Sequence, residues 1–224
     1  MARSSVSYVC QQCGSAFSKW AGRCDDCGAW NTLVEERKDA PAGPGKRSHG
    51  RHITLEPLQS ARTAKPLPRM QSDISEFDRV AGGGLVPGSA TLIGGDPGIG
   101  KSTLLLQLTC KLSSAGFRAA YISGEESADQ VRMRASRLGL ADATVELGTA
   151  TNASDIAASM TGAERPDIVV IDSIQTMFLP SLDSAPGTVS QVRASAQELI
   201  RAAKNNRVAL FLVGHVTKDG SIAG

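Results

Sequence analysis

Aromatic residues are scarce in this sequence, at 4% of 224 residues. The apolar fraction is also slightly low, at 41%. That leaves room for one core of ordinary size, in one or two domains. No run of 18 apolar residues occurs, which argues against a membrane-spanning helix. A signal core is missing too: Ala2-Arg3-Ser4-Ser5 leads straight into a cysteine motif. The expected location is therefore the cytoplasm. Net charge is small, +2, but unevenly spread. Residues 1–69 hold 11 Lys and Arg against 6 Asp and Glu; residues 70–224 hold 13 against 16. A basic N-terminal arm beside an acidic remainder points weakly to contact with a polyanion. Cysteine is sparse as well, with five residues. In a reducing compartment they favour metal binding over disulfides.

What is present is organised around Gly95-Asp96-Pro97-Gly98-Ile99-Gly100-Lys101-Ser102. This fits G-x-x-x-x-G-K-[ST], a phosphate-binding loop. The apolar run Ala90-Thr91-Leu92-Ile93 before it reads as a buried strand, and Leu104 to Leu112 after it as a helix. Gly95, Gly98 and Gly100 permit positive φ and let backbone N–H groups approach phosphate. The helix starting near Lys101 aims its N-terminal dipole at the anion. Lys101 is expected along the β- and γ-phosphates and Ser102 on Mg²⁺, so residues 95–103, Thr103 included, form the candidate nucleotide cradle.

Cys10, Cys13, Cys24 and Cys27 form two C-x-x-C pairs ten residues apart, each followed by a glycine, Gly14 and Gly28. Four thiolates close a tetrahedral site suited to structural Zn²⁺. Redox chemistry or disulfides are the rival readings. The symmetry of the pairs argues for metal. Trp20 and Trp30, with Tyr8 and Phe17, are expected to form the ribbon's small core, and the metal to supply its folding energy. Cys110 reads as a small buried residue. Residues 35–69 carry Pro41, Pro44, Pro66 and Pro68 with scattered basic residues, and read as a linker. It is either a solvated tether or, through Lys46, Arg47 and Arg51, a nucleic-acid contact. His49 and His52 read as incidental.

From residue 70 onward strands alternate with helices. Ser75 to Val80 reads as a short helix stopped by Gly82-Gly83-Gly84. Arg118 to Ser123 reads as a strand ending at Gly124-Glu125-Glu126. In the helix after it, Val131, Met133, Ala135 and Leu138 alternate with Arg132, Arg134 and Arg137, which read as a solvated face. Glu125 faces the nucleotide crevice as the group orienting an attacking water, or else acts as a structural cap; Glu126 is the alternative helix cap. Thr144 to Leu147 reads as a brief strand and Asn152 to Met160 as a helix. Asp167-Ile168-Val169-Val170-Ile171-Asp172 reads as a buried parallel strand closed by a carboxylate for Mg²⁺, or by a turn former. Met177 to Gly187 reads as a loop with exposed apolar residues, Thr188 to Asn205 as a helix, and Val208 to Val213 as a buried strand ending in Gly214-His215. The pattern predicts an α/β domain with a parallel sheet.

The chain resembles the bacterial RadA/Sms DNA-repair family, relatives of the RecA recombinase and of replicative hexameric helicases. The resemblance rests on the cysteine ribbon, on Gly82-Gly83-Gly84-Leu85-Val86-Pro87-Gly88, on the phosphate loop and on Tyr121-Ile122-Ser123-Gly124-Glu125-Glu126-Ser127. It rests also on Val170-Ile171-Asp172-Ser173 and Leu212-Val213-Gly214-His215-Val216-Thr217-Lys218. It implies a RecA-like P-loop core with a mainly parallel sheet behind a small N-terminal zinc ribbon. The expected division is ribbon 1–34, linker 35–69 and ATPase core 70–224. The family implies ATP as nucleotide, with Mg²⁺ and Zn²⁺. It implies a homo-hexameric ring, with RecA as a partner, acting in recombinational repair on single-stranded and branched DNA. By position, Lys101, Glu125, Asp172 and His215 are the implied catalytic set, with His215 as γ-phosphate sensor. Residues 177–187 correspond to a first DNA-binding loop, and 217–224 begin a second in which Lys218 is the implied contact. The family normally extends further, so this sequence reads as C-terminally truncated. A regulatory switch or kinase of the same superfamily, or a nucleotide-binding ribbon adaptor without turnover, are the other readings.

Overall fold

The structure is a computed structural model that describes residues 5–10, 15–38, 55 and 68–215. Cys13, Lys218, the 217–224 segment and nearly all of the linker, with its two histidines, lie outside the described residues. Near the N-terminus, β1 (Ser5–Cys10) pairs antiparallel with both β2 (Ala16–Phe17) and β3 (Leu33–Lys38). Cys10, Cys24 and Leu33 form the buried centre here, with Tyr8, Phe17 and Ala21 packed on it. The tryptophans do not join this core: Trp20 is 58% exposed and Trp30 70%. A ribbon this small has no interior that could enclose an indole.

The second body is built on five parallel strands. They are β4 (Ala90–Gly95), β5 (Ala119–Ser123), β6 (Glu146–Thr149), β7 (Ile168–Asp172) and β8 (Ala209–His215). Their order across the sheet is β4-β8-β7-β5-β6. The short helix α1 (Ser75–Val80) precedes β4, and between the strands run α2 (Lys101–Ser114), α3 (Ala128–Arg137), α4 (Ala153–Ser159) and α5 (Val189–Asn206).

Strand side chains alternate between two apolar layers, as a period of two requires. Val169, Ile171, Leu210 and Leu212 pack with Ile156 and Leu199 of α4 and α5. Ile168, Val170, Phe211 and Val213 pack with Leu105, Leu108 and Leu112 of α2. Helices therefore cover both faces, which explains why β5 and β7 are buried at every position.

Four expectations about elements need correction. β4 is not a buried strand: its residues alternate between half-buried and exposed, with Leu92 44% exposed. Among the described residues it pairs with β8 alone and forms one edge of the sheet. The third strand of this body lies at Glu146–Thr149 rather than 144–147. Met177 is 0% exposed and Leu179 packs on the core, so the start of the 177–187 loop is an anchor, not an exposed apolar stretch. The Gln191 amide holds that loop, with its Nε2 donating to the carbonyls of Leu182 (3.1 Å) and Ser184 (2.9 Å). Lastly, Met133 is 66% exposed rather than part of an apolar face.

Candidate nucleotide site and cysteine cluster

In a parallel sheet every strand delivers its carboxyl end to the same edge. Here Gly95 pairs in register with His215, and Asp172 with Ser123. The strand order therefore sets the ends of β4, β8, β7 and β5 side by side. This edge is where open α/β sheets bind ligands.

The loop after β4 turns into α2 at Gly100, whose φ of 102° is left-handed. Nothing lies within 4 Å of a Cβ built there, so the backbone angle, not space, demands glycine. Gly95 differs from expectation: it does not need positive φ, but a Cβ would come within 3.3 Å of Ile99. Lys101 is 8% exposed, and its ammonium donates to the carbonyls of Gly95 (2.8 Å) and Asp96 (2.9 Å). The charge is thus stored against the loop's own backbone. Beside it opens a cleft of about 330 Å³. The loop contributes Pro97, Gly98, Gly100, Lys101, Ser102 and Thr103 to its walls; the strand ends and α3 contribute Glu125, Glu126, Arg134, Asp172 and His215.

Each carboxylate on the far wall has its own holder. Ser173 Oγ donates to Glu125 Oε1, and His215 Nε2 lies 3.3 Å from the same oxygen. Gly124 makes that position attainable, because a Cβ there would lie 2.9 Å from Thr176 Cβ. Asp172 is 4% exposed and accepts a hydrogen bond at Oδ2 from Tyr121. Burial and the neighbouring Asp172 charge raise the Tyr121 pKa, so the phenol stays protonated. Glu126 forms an ion pair with Arg134, whose side chain is only 14% exposed.

That last pair corrects two expectations. Arg134 is not on a solvated face, although Arg132 is. Val131, Arg134 and Leu138 lie at helical spacing on the inward side of α3, and this spacing was the available signal. Nor is Glu126 the cap of α3: Ser127 caps it, in a reciprocal capping box with Gln130. Tyr121 and Ser173 lie inside the quoted motifs, but the sequence does not reveal which carboxylate each hydroxyl reaches.

In the ribbon, the Sγ atoms of Cys10, Cys24 and Cys27 lie within 4.8 Å of one another, and those of Cys10 and Cys27 are 3.6 Å apart. Tetrahedral Zn–S bonds of about 2.3 Å require S···S separations of about 3.8 Å, so the thiols fit Zn²⁺. Cys10 N donates to Ser15 O (2.9 Å) and Cys24 N to Ala29 O (2.8 Å), the same five-residue turn twice. Cys110 is a free thiol and is buried as expected.

A phosphate loop feeding a helix at the carboxyl edge of a parallel sheet, behind a cysteine ribbon, defines a P-loop nucleotide-binding α/β domain. The chain belongs to the AAA domain family, matched over residues 59–221. Residues 8–35 match the rubredoxin metal binding domain. The chain is homologous to proteins named DNA repair protein RadA. It is 53% identical to that of Brucella abortus over all of this chain and 50% of the relative. Against that of Bacillus subtilis it is 46% identical over all of this chain and 49% of the relative. The chain thus spans about half the length of these relatives. A DnaB-like replicative helicase shares the fold, with a TM-score of 0.58 at 14% identity over 72% of this chain and 48% of the helicase. Among the described residues no helix is long and apolar enough to cross a membrane.

Proposed function

We propose that this chain is the nucleotide-hydrolysing part of a cytoplasmic DNA-repair ATPase, carrying a ribbon at residues 1–34, a linker at 35–69 and a motor core at 70–224. Residues 95–103 hold the ATP phosphates. Lys101 leaves the Gly95 and Asp96 carbonyls to meet the β- and γ-phosphates, and Ser102 and Asp172 offer the hard oxygen donors that Mg²⁺ prefers. Bound there, Mg²⁺ neutralises charge on the phosphates. Glu125 orients the attacking water and takes its proton as the β–γ bond breaks. His215, in contact with Glu125, reports the γ-phosphate. Cys10, Cys13, Cys24 and Cys27 hold Zn²⁺.

The observation that carries this reading is the Glu125 carboxylate at the wall of the phosphate-loop cleft, fixed by Ser173 and His215. The names of the relatives support a role in DNA repair. Action on branched and single-stranded DNA, a homo-hexameric ring, a RecA partner and a Lys218 contact belong to the same proposal.

The test is the ATPase rate with and without single-stranded DNA at two salt concentrations. Stimulation that fades with salt supports the reading, because phosphate contacts release counterions. Phosphoryl transfer to protein, independent of DNA, would favour a kinase. Nucleotide binding with a turnover rate that Lys101→Ala does not change would leave an adaptor.

A further inference from the structure

We propose that Tyr121 is a positioning residue for the metal-binding carboxylate: its hydroxyl binds one oxygen of Asp172 and leaves the other to face the phosphate cleft. This rests on the reading of Asp172 as a Mg²⁺ ligand.

The sheet register makes the contact. Tyr121 lies opposite Val170, and Asp172 is two residues farther along the same face of β7. That face is the one covered by α2, the helix that begins at Lys101. The phenol therefore reaches along the sheet toward the phosphate loop, and its hydroxyl ends on Asp172 Oδ2. Among the described residues no other side chain donates to this carboxylate. The backbone is fixed separately, by Gly124 N donating to Asp172 O at 2.8 Å. Tyr121 is thus the one side chain that sets the rotation of the carboxylate.

Packing alone does not call for the hydroxyl. Tyr121 is 0% exposed among Leu105, Leu108 and Val170, where phenylalanine would fill the same space without desolvating an O–H group. A ligand-orienting partner explains it. Such partners fix the donor atom's direction, and losing one weakens metal binding about 10- to 100-fold.

The test compares the wild-type chain with Tyr121→Phe. A fluorescent ATP analogue is bound first in EDTA, then across a MgCl₂ titration. The expected result is metal-free binding unchanged within about twofold and a Mg²⁺ midpoint raised about tenfold, the low end of that range. An unchanged midpoint, or an equal loss with and without metal, overturns the proposal by reducing Tyr121 to a packing residue. Wild-type binding that ignores Mg²⁺ is a separate failure, of the metal-site reading itself. Should Tyr121→Phe not fold, the Tyr8→Phe chain keeps Tyr121 as its only tyrosine. Its Raman doublet is expected to report a strong donor that shifts when MgCl₂ and nucleotide are added; no shift overturns the proposal.

Discussion

The ribbon and the α/β core solve stability in opposite ways. The core buries two apolar layers, one on each side of its sheet, with Phe211, Ile168 and Leu105 among the fully enclosed side chains. The ribbon encloses Cys10, Cys24 and Leu33, and leaves both tryptophans of the chain in solvent. One body is held by surface removed from water, the other by ligand bonds to a metal its thiols fit. Damage to one should therefore leave the other standing, and the chain carries its own reporter of this. Tryptophan emission comes from the ribbon alone.

The largest effect is expected from metal removal. A strong chelator, or Cys24→Ser, removes a contribution of roughly 10 kcal/mol or more in apparent binding free energy. The near-ultraviolet circular dichroism of the tryptophans should collapse as Trp20 loses its bond to the Leu33 carbonyl and Trp30 its Arg23 contact, while the far-ultraviolet signal of the core helices persists. Loss of both signals together would merge the two bodies into one cooperative unit. The converse change is Phe211→Ala, which opens a cavity in the core and should cost about 3–5 kcal/mol in denaturant unfolding. Tryptophan emission at low denaturant should not move.

Smaller effects sharpen the picture inside the core. Arg134→Ala leaves Glu126 without its cation at a half-buried site. A loss of about 1–2 kcal/mol is expected, between the values for exposed and buried pairs, with weaker nucleotide binding. Arg132→Ala, on the exposed side of the same helix, should change stability by less than about 0.5 kcal/mol. Burial raises the Cys110 thiol pKa. A raised folded-state value means stability present below the unfolded thiol's pKa of about 8.5 and lost as pH climbs above it. Cys110→Ala should flatten that alkaline decline, measured as melting temperature against pH.

The same division explains how far the sequence could be read. The phosphate loop, the strand ending at Asp172 and the paired cysteines were legible because their chemistry demands residue types at fixed spacing. The sequence limits of α1, Ser75–Val80, match the structure because Gly82-Gly83-Gly84 stops the helix. Failures came where three-dimensional neighbours decide. Trp20 and Trp30 are apolar, but the ribbon has no room for them. Leu92 sits on an apolar strand that is a sheet edge. Alternation over residues 131–135 places Arg134 in solvent, but alternation is a strand's period and this segment is a helix. Met177 follows a motif strand, yet its side chain fills the core beneath the loop. Tyr121, Ser173 and Glu126 act through partners 8 to 51 residues away in sequence. No local pattern could announce them.

The central claim is that Glu125 activates water in a cleft that other residues build. Glu125→Gln keeps the shape and removes the base, so nucleotide binding and hydrolysis can be measured on the same protein. The account predicts nucleotide affinity within about twofold of wild type and a hydrolysis rate at least about 100-fold lower, the lower bound for a positioned general base. Hydrolysis at the wild-type rate in Glu125→Gln would contradict it.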